Sequence, residues 1–146
     1  MPSDEPARPP TPPPVGVRVA RRSQRLEECA RFYAEDLRLP QLFAFHDHDG
    51  YDGFVFALCG ASVQLELVRT REDRPVPVQD EEDLLILYLA DEQELRRTRR
   101  RLGEQRGLTL VDSPNPYWHA RRAFVVLDPE GRGVMYVVSP DSVVAS

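Results

Sequence analysis

Lysine is missing from this chain: all 19 of its basic residues are arginine. Uniform arginine on its own points to no function. Against 24 acidic residues it leaves a formal net charge of -5, so the chain as a whole offers no electrostatic attraction to nucleic acid or to an anionic membrane surface. No run approaches the roughly 20 consecutive apolar residues that a membrane-crossing helix needs, and the start of the chain carries no apolar targeting region. Cysteine occurs only as Cys29 and Cys59, and neither has CxxC or other metal-ligand spacing. Two buried thiols in a reducing cytoplasm are the expectation. A glycine-rich phosphate loop, a nucleophile elbow and an HExxH-type motif are all missing too. Expected from these absences is a cytoplasmic protein with no cofactor, no nucleic-acid partner and no membrane partner.

What the sequence does hold begins with proline. Residues 1–14 read Met-Pro-Ser-Asp-Glu-Pro-Ala-Arg-Pro-Pro-Thr-Pro-Pro-Pro, a density that denies backbone donors to helix and sheet and implies a disordered tail. The remainder of the 146 residues is long enough to bury a real core. Val15, Val17 and Val19 alternate with Gly16, Arg18 and Ala20, the period-two pattern of a half-buried strand. Ser23 is placed to cap a helix whose apolar stripe is Leu26, Ala30, Tyr33 and Leu37, and Pro40 stops that helix from running on. Three runs rich in β-formers follow at 42–45, 54–58 and 63–68. A polar turn over 46–53 joins the first two, and Cys59, Gly60 and Ala61 join the next two.

After a charged, proline-containing linker over 70–82 the same order starts again. An apolar strand at 84–89 leads to a helix that begins at Asp91, with Glu94 in a capping-box relation, and stops at Gly107. Strands are expected at 108–111, 123–127 and 134–138, the last two joined by the turn Asp128-Pro129-Glu130-Gly131. An internal repeat of a βαβββ unit is a more specific signal than any single motif here. The expected organisation is therefore a tail (1–14), module one (15–69), the linker, module two (83–139) and a second tail (140–146).

Three clusters invite chemistry. His46, Asp47, His48, Asp49, Tyr51 and Asp52 are the densest group of titratable side chains. His-x-His beside carboxylates suits chelation or acid–base work, while Asp and Gly in a hairpin connection equally serve to make the turn. Asn115-Pro116-Tyr117-Trp118-His119 carries the only tryptophan in a proline-broken loop. It can cap an apolar cleft, anchor a dimer contact or pack on the domain's own sheet. Arg96, Arg97, Arg99, Arg100, Arg101 and Arg106 crowd the second helix, but they wrap several faces with Glu92, Glu94 and Glu104 close by. A solvated surface, not a phosphate-reading face, is the reading.

Several stretches resemble the vicinal-oxygen-chelate superfamily of glyoxalase and bleomycin-resistance-like proteins. Val17-Arg18-Val19-Ala20, Leu26, Ala30-Arg31-Phe32-Tyr33 and Asp36-Leu37-Arg38-Leu39 are similar to its first strand and helix, and Asp128-Pro129-Glu130-Gly131 to its terminal turn. The runs 46–53, 65–67 (Leu-Glu-Leu) and 115–118 narrow the resemblance to a YycE-like subgroup. Arg38 departs from it, standing where glycine is usual, so the helix end should be less relaxed. The resemblance, over about 15–139, implies an α+β fold of two tandem βαβββ modules, a curved mixed sheet, a central cavity and a homodimer.

Metal-dependent members place ligands on the first and last strands of each module, positions that fall here on Arg18, Glu66, Leu84 and Met135. Arginine and leucine cannot ligate a divalent cation, and a thioether suits copper(I) better than iron, zinc or nickel. No bound metal is expected. Strand alternation adds that if Val17, Val19, Leu65 and Leu67 pack under the helix, then Arg18, Gln64 and Glu66 face the cavity, where Arg18 and Glu66 can pair across neighbouring strands. In module two Leu84, Ile86, Tyr88 and Met135 share the corresponding face, as an apolar ligand wall or as plain core. The implied function is metal-independent binding or sequestration of a small, largely apolar molecule. Arg18, Gln64, Glu66, Tyr88, His46, His48, Tyr117, Trp118 and Met135 are its candidate contacts. The alternative is a lyase, isomerase or dioxygenase with Glu66 as base or metal ligand.

Overall fold

The period-two and helical patterns become two copies of one topology in a computed structural model that describes residue 4, residues 6–8 and residues 10–140. The first copy comprises β1 (Val17–Arg22), α1 (Leu26–Arg31, extended by a π-helical turn over Phe32–Asp36), β2 (Gln41–His48), β3 (Tyr51–Ala57) and β4 (Val63–Thr70). The second comprises β5 (Leu84–Leu89), α2 (Glu92–Arg100, extended by a π-helical turn over Arg101–Gln105), β6 (Leu110–Val111), α3 (Pro116–Ala120), β7 (Phe124–Leu127) and β8 (Gly133–Val138). The sheets run β1-β4-β3-β2 and β5-β8-β7-β6. The β1–β4 and β5–β8 pairs are parallel and the other pairs antiparallel. No helix among the described residues is long and apolar enough to cross a membrane. The described residues of 4–14 form neither helix nor strand; the rest of the expected tail, and residues 141–146, lie outside the described residues.

The two helices leave in the same way. In α1 the Leu37 N–H reaches the Phe32 carbonyl at 3.0 Å and the Leu39 N–H the Tyr33 carbonyl at 3.0 Å, around Arg38 at φ 58°. In α2 the Arg106 N–H reaches Arg101 and the Leu108 N–H reaches Leu102, both at 2.9 Å, around Gly107 at φ 69°. The repeat therefore extends to the left-handed exit residue, which is glycine in one copy and arginine in the other. At the start of α2 the Asp91 carboxylate accepts the Glu94 N–H at 2.8 Å, as its spacing predicts.

Several expectations need correction. Ser23 does not cap α1. Its hydroxyl is buried 3.1 Å from Cys29 Sγ and 3.3 Å from Glu130 Oε1, and Glu130 itself accepts the Arg25 N–H at 2.7 Å. A carboxylate from the second copy thus satisfies the first helix. The polar run 46–53 is mostly strand, because Asp49 (φ 53°) and Gly50 (φ 89°) complete a two-residue turn of the kind hairpins favour. A bulge between Phe45 and His48, with Asp47 at φ 49°, absorbs the extra residue. Gly53 is required there, since a Cβ would sit 2.8 Å from the Leu67 carbonyl oxygen and 2.3 Å from the Phe45 ring. The proline-broken loop contains α3: Asn115 accepts the Tyr117 N–H at 3.0 Å and Pro116 occupies the first turn. Cys29 is buried but Cys59 is exposed, because it sits in the β3–β4 turn.

The helix-bearing sides of both sheets feed one core. Leu26, Tyr33, Leu37, Phe56, Leu65 and Leu67 from the first copy join Leu95, Leu102, Phe124, Val126, Val134 and Tyr136 from the second. The copies therefore pack back to back, and the open side of each sheet faces outward. A polar seam runs through the junction. Buried Asp128 accepts the Tyr33 hydroxyl at 2.8 Å and Arg132 Nε at 3.2 Å, while Arg132 Nη1 donates to the Arg22 carbonyl at 2.8 Å. The central cavity expected between the two open faces is consequently not enclosed within one chain.

Candidate functional site

Ladder register decides what the open face of the first sheet presents. Arg18 lies opposite Gln64 and Ala20 opposite Glu66 across β1–β4; Glu66 then faces Val55, and Val55 faces Phe43 on the far edge. Arg18 Nε donates to Gln64 Oε1 at 2.8 Å and Nη1 to Glu66 Oε1 at 3.3 Å. The guanidinium ends 5.5 Å from the centroid of the Phe43 ring, close enough for a cation–π contact. Val55, between Glu66 and Phe43 in the ladder, is fully buried. Gln64 is held from behind, its amide nitrogen donating to the Ala61 carbonyl at 2.8 Å. The alternation argument thus places Arg18, Gln64 and Glu66 together, and the cross-strand pair it anticipates is formed. Its other half holds only for Leu65 and Leu67, which are buried under the helix. Val17 and Val19 are exposed, because β1 is an edge strand that the short α1 does not cover.

The histidines separate. His48 pairs with Tyr51, on the open face, and its ring meets Phe45 edge-on at 6.4 Å. His46 takes the opposite side, where Nδ1 lies 2.9 Å from Asp52. There Arg69 bonds Asp52 at 3.0 Å and both oxygens of Glu27, at 2.9 and 3.0 Å. The Asp47 N–H and the Arg69 guanidinium hold the Asp52 carboxyl below the usual carboxylate range, and Arg69 does the same for Glu27. The cluster is therefore a set of paired charges fixing β2, β3 and β4 to the start of α1. Among the described residues no three His, Cys, Asp or Glu side chains are grouped to hold a metal ion.

The open face of the second sheet has the opposite character. Met135, Val125, Val137 and Ala123 are buried there, with Leu84, Ile86, Val111 and Trp118 packed against them. Trp118, carried on α3, rests on its own sheet, so of the three readings of that loop the packing one describes the single chain. Tyr117 stays exposed, its ring edge-on to Trp118 at 4.8 Å, with the Arg121 guanidinium 3.4 Å from its centroid. Tyr88 is exposed on the edge strand β5.

The four positions where the superfamily would place metal ligands do not fit a metal. Arg18 and Leu84 offer no lone pair, Met135 is a buried thioether in an apolar cluster, and Glu66 is already bonded to Arg18. One carboxylate beside a permanent cation is not a divalent-cation site. Phe43 was legible as a strand residue, but its place opposite Arg18 depends on the β2 bulge and has no signal in the sequence. Asp128 read only as a turn residue and Arg132 carried no signal, although together they close the seam.

Residues 17–68 match the YycE-like N-terminal domain family and residues 82–137 the YycE-like C-terminal domain family. The chain is 33% identical over 123 residues to YycE of Bacillus subtilis (strain 168), covering 84% of this chain and 87% of that protein. It superposes on the crystal structure of YycE with a TM-score of 0.77 at 32% identity, covering 86% and 90% of the two chains. More distant likenesses, in fold alone, include the antibiotic-binding protein TnmS3 from Streptomyces sp. CB03234. Its TM-score is 0.64 at 21% identity, with 86% and 95% covered. The trypanothione-dependent glyoxalase I of Leishmania major follows at 0.61 and 16%, with 83% and 84% covered.

Proposed function

The chain belongs to the YycE-like family of the vicinal-oxygen-chelate superfamily, and from that premise we propose that it binds a small, largely apolar molecule without a metal. The observation that carries this reading is the Arg18–Gln64–Glu66 set. It is bonded to itself and lies beside the half-exposed Phe43 ring, at the positions where a metal centre of this superfamily would be built. A binding role has precedent in the fold, since TnmS3 is an antibiotic-binding protein.

The site is completed by a second copy. Each chain turns its two open faces outward, and Phe43, Leu42 and Tyr88 are left exposed on them or at their edges. Bringing the charged first face of one chain against the apolar second face of another encloses a cleft with polar anchors on one wall and Leu84, Ile86 and Tyr88 on the other. Two such clefts arise in a two-fold homodimer. Cys29 and Cys59 are unpaired, in keeping with a cytoplasmic protein.

The test is light scattering together with metal analysis of tag-free protein, and melting curves with Zn²⁺, Ni²⁺, Mn²⁺ and Fe²⁺. A dimer with no stoichiometric metal and no metal-induced rise in Tm is expected, since a specifically bound ion raises stability by mass action. A stoichiometric metal would overturn the reading in favour of the enzyme alternative. Turnover that disappears in Glu66→Gln would do the same, with Glu66 as base.

A further inference from the structure

On the open face of the first sheet Arg18 and Glu66 are already matched to each other. Arg18 commits Nε to Gln64 and one Nη1 hydrogen to Glu66 Oε1. Among the described residues its Nη2 amino group and Glu66 Oε2 have no protein partner. A donor and an acceptor are therefore left on the two partners of one ion pair, next to the exposed Phe43 ring. The other formal charge that β1 adds to this face is Arg22, four residues along the strand and roughly 13 Å away at about 3.3 Å per residue. It is turned onto the carbonyls of Arg74 and Pro75, at 3.0 and 2.7 Å.

This arrangement discriminates by charge. A carboxylate approaching Arg18 meets Glu66 at the same place and must displace it, leaving a mostly buried carboxylate without its partner. An ammonium group approaching Glu66 must displace Arg18 in the same way. Each displacement exchanges one ion pair for another and leaves the displaced like charge beside the ligand, so no net contact is gained. A carboxamide or lactam edge displaces neither: its carbonyl oxygen accepts from Arg18 Nη2 while its N–H donates to Glu66 Oε2, and both bonds are charge-assisted. A flat ring behind that edge can lie along the exposed part of Phe43.

Building on the binding function above, we propose that this site selects uncharged ligands with an amide-type edge, a donor beside an acceptor on a flat ring system. Carboxylates and ammonium compounds of the same shape are rejected. The selectivity resides in the matching of Arg18 by Glu66, so removing either partner should convert it in a defined direction.

The experiment titrates 2-naphthamide, 2-naphthoate and 2-naphthylmethylammonium into the full-length chain, reading backbone amide shifts of Gln64, Glu66 and Val55 by NMR. The wild-type chain should bind the amide at least about tenfold more tightly than either ion. Glu66→Gln frees the guanidinium and should move the preference to the naphthoate, whereas Arg18→Gln frees the carboxylate and should move it to the ammonium. The same spectra show whether each variant is folded, and either variant alone suffices for the reversal. A wild-type preference for the naphthoate, or preferences unmoved in folded variants, would overturn the selectivity while leaving the binding function standing. Failure of all three probes to shift these amides would overturn the binding function and this inference with it.

Discussion

Two arginine–carboxylate pairs of the same chemistry occupy opposite environments in this molecule. Arg132 and Asp128, 3.2 Å apart in the back-to-back seam, have side chains 3% and 0% exposed; Arg18 and Glu66, 3.3 Å apart on the open face, are 42% and 18% exposed. The seam pair is enclosed by further bonds to Tyr33, to the Arg22 carbonyl and to the N–H groups of Glu130 and Arg132. Arg132 Nη2 alone is buried without a partner among the described residues. The open pair keeps donors and acceptors unspent. Burial decides the role: the first pair is locked into the architecture, and the second remains available to another molecule.

That contrast is most sharply tested at Asp128. Asp128→Ala leaves the Arg132 guanidinium buried and uncompensated and removes the acceptor of the Tyr33 hydroxyl, so it should cost about 3–5 kcal/mol of stability. Urea unfolding measures the loss directly. A cost below about 1 kcal/mol would mean that the seam is hydrated and that the two pairs do not differ as claimed.

The next effect comes from pH. Burial, with Asp128 as a neighbouring negative charge, pushes the Tyr33 phenol far up, and burial pushes Tyr136 up from 10.0 to about 12. Both groups keep their protons longer in the folded chain than in the unfolded one. The unfolded state therefore loses protons first, and stability should fall as pH climbs from 10 through 12, by about 1.4 kcal/mol per unit for each phenol. With no lysine in the sequence, tyrosine and cysteine dominate titration in that range. Urea midpoints between pH 8 and 11 should decline, and the decline should flatten in Tyr136→Phe. A slope unchanged in that variant would assign the effect elsewhere.

What could be read in advance, and what could not, follows the same physical division. The order of strands and helices was legible because each element carries its own period, as in Leu65 and Leu67 or in Leu26, Ala30, Tyr33 and Leu37. The Arg18–Glu66 pairing was legible because β1 and β4 are neighbours in a βαβββ unit and alternation fixes their faces. The back-to-back packing was not. Periodicity marks a face as apolar without saying which other face covers it, so Asp128-Pro129-Glu130-Gly131 read as a turn when it is also the clamp on α1. The hairpin at 46–53 was misjudged for a related reason: its polar composition conceals strand pairing that backbone geometry at Asp47, Asp49 and Gly50 makes available.

The two helix exits offer a smaller test. Gly107 adopts φ 69° without penalty, while Arg38 holds φ 58° at the equivalent place, a conformation that an L residue adopts at a cost of roughly 1 kcal/mol relative to glycine. Arg38→Gly should therefore raise stability by up to about 1 kcal/mol, partly offset by the greater freedom glycine gives the unfolded chain. Thermal unfolding would register it as a rise in Tm of a few degrees. A fall in Tm would show that the Arg38 side chain contributes more than its backbone costs.

The smallest stability change belongs to the open pair. Glu66→Gln keeps the shape of the side chain and an acceptor for Arg18 Nη1, and the guanidinium it releases is still bonded to Gln64 and largely open to water. Exposed pairs contribute about 0.2–1 kcal/mol, so unfolding of this variant should be nearly superimposable on that of the parent chain. If instead the loss approaches that of Asp128→Ala, Arg18 and Glu66 are a second structural clamp. Their side chains would then be too committed to the sheet to exchange partners with a ligand, and the site would have to be sought on the apolar face beneath Trp118. A near-zero change sets the two pairs apart as burial predicts: removing one carboxylate unfolds the seam, while removing the other alters only what the open face can hold.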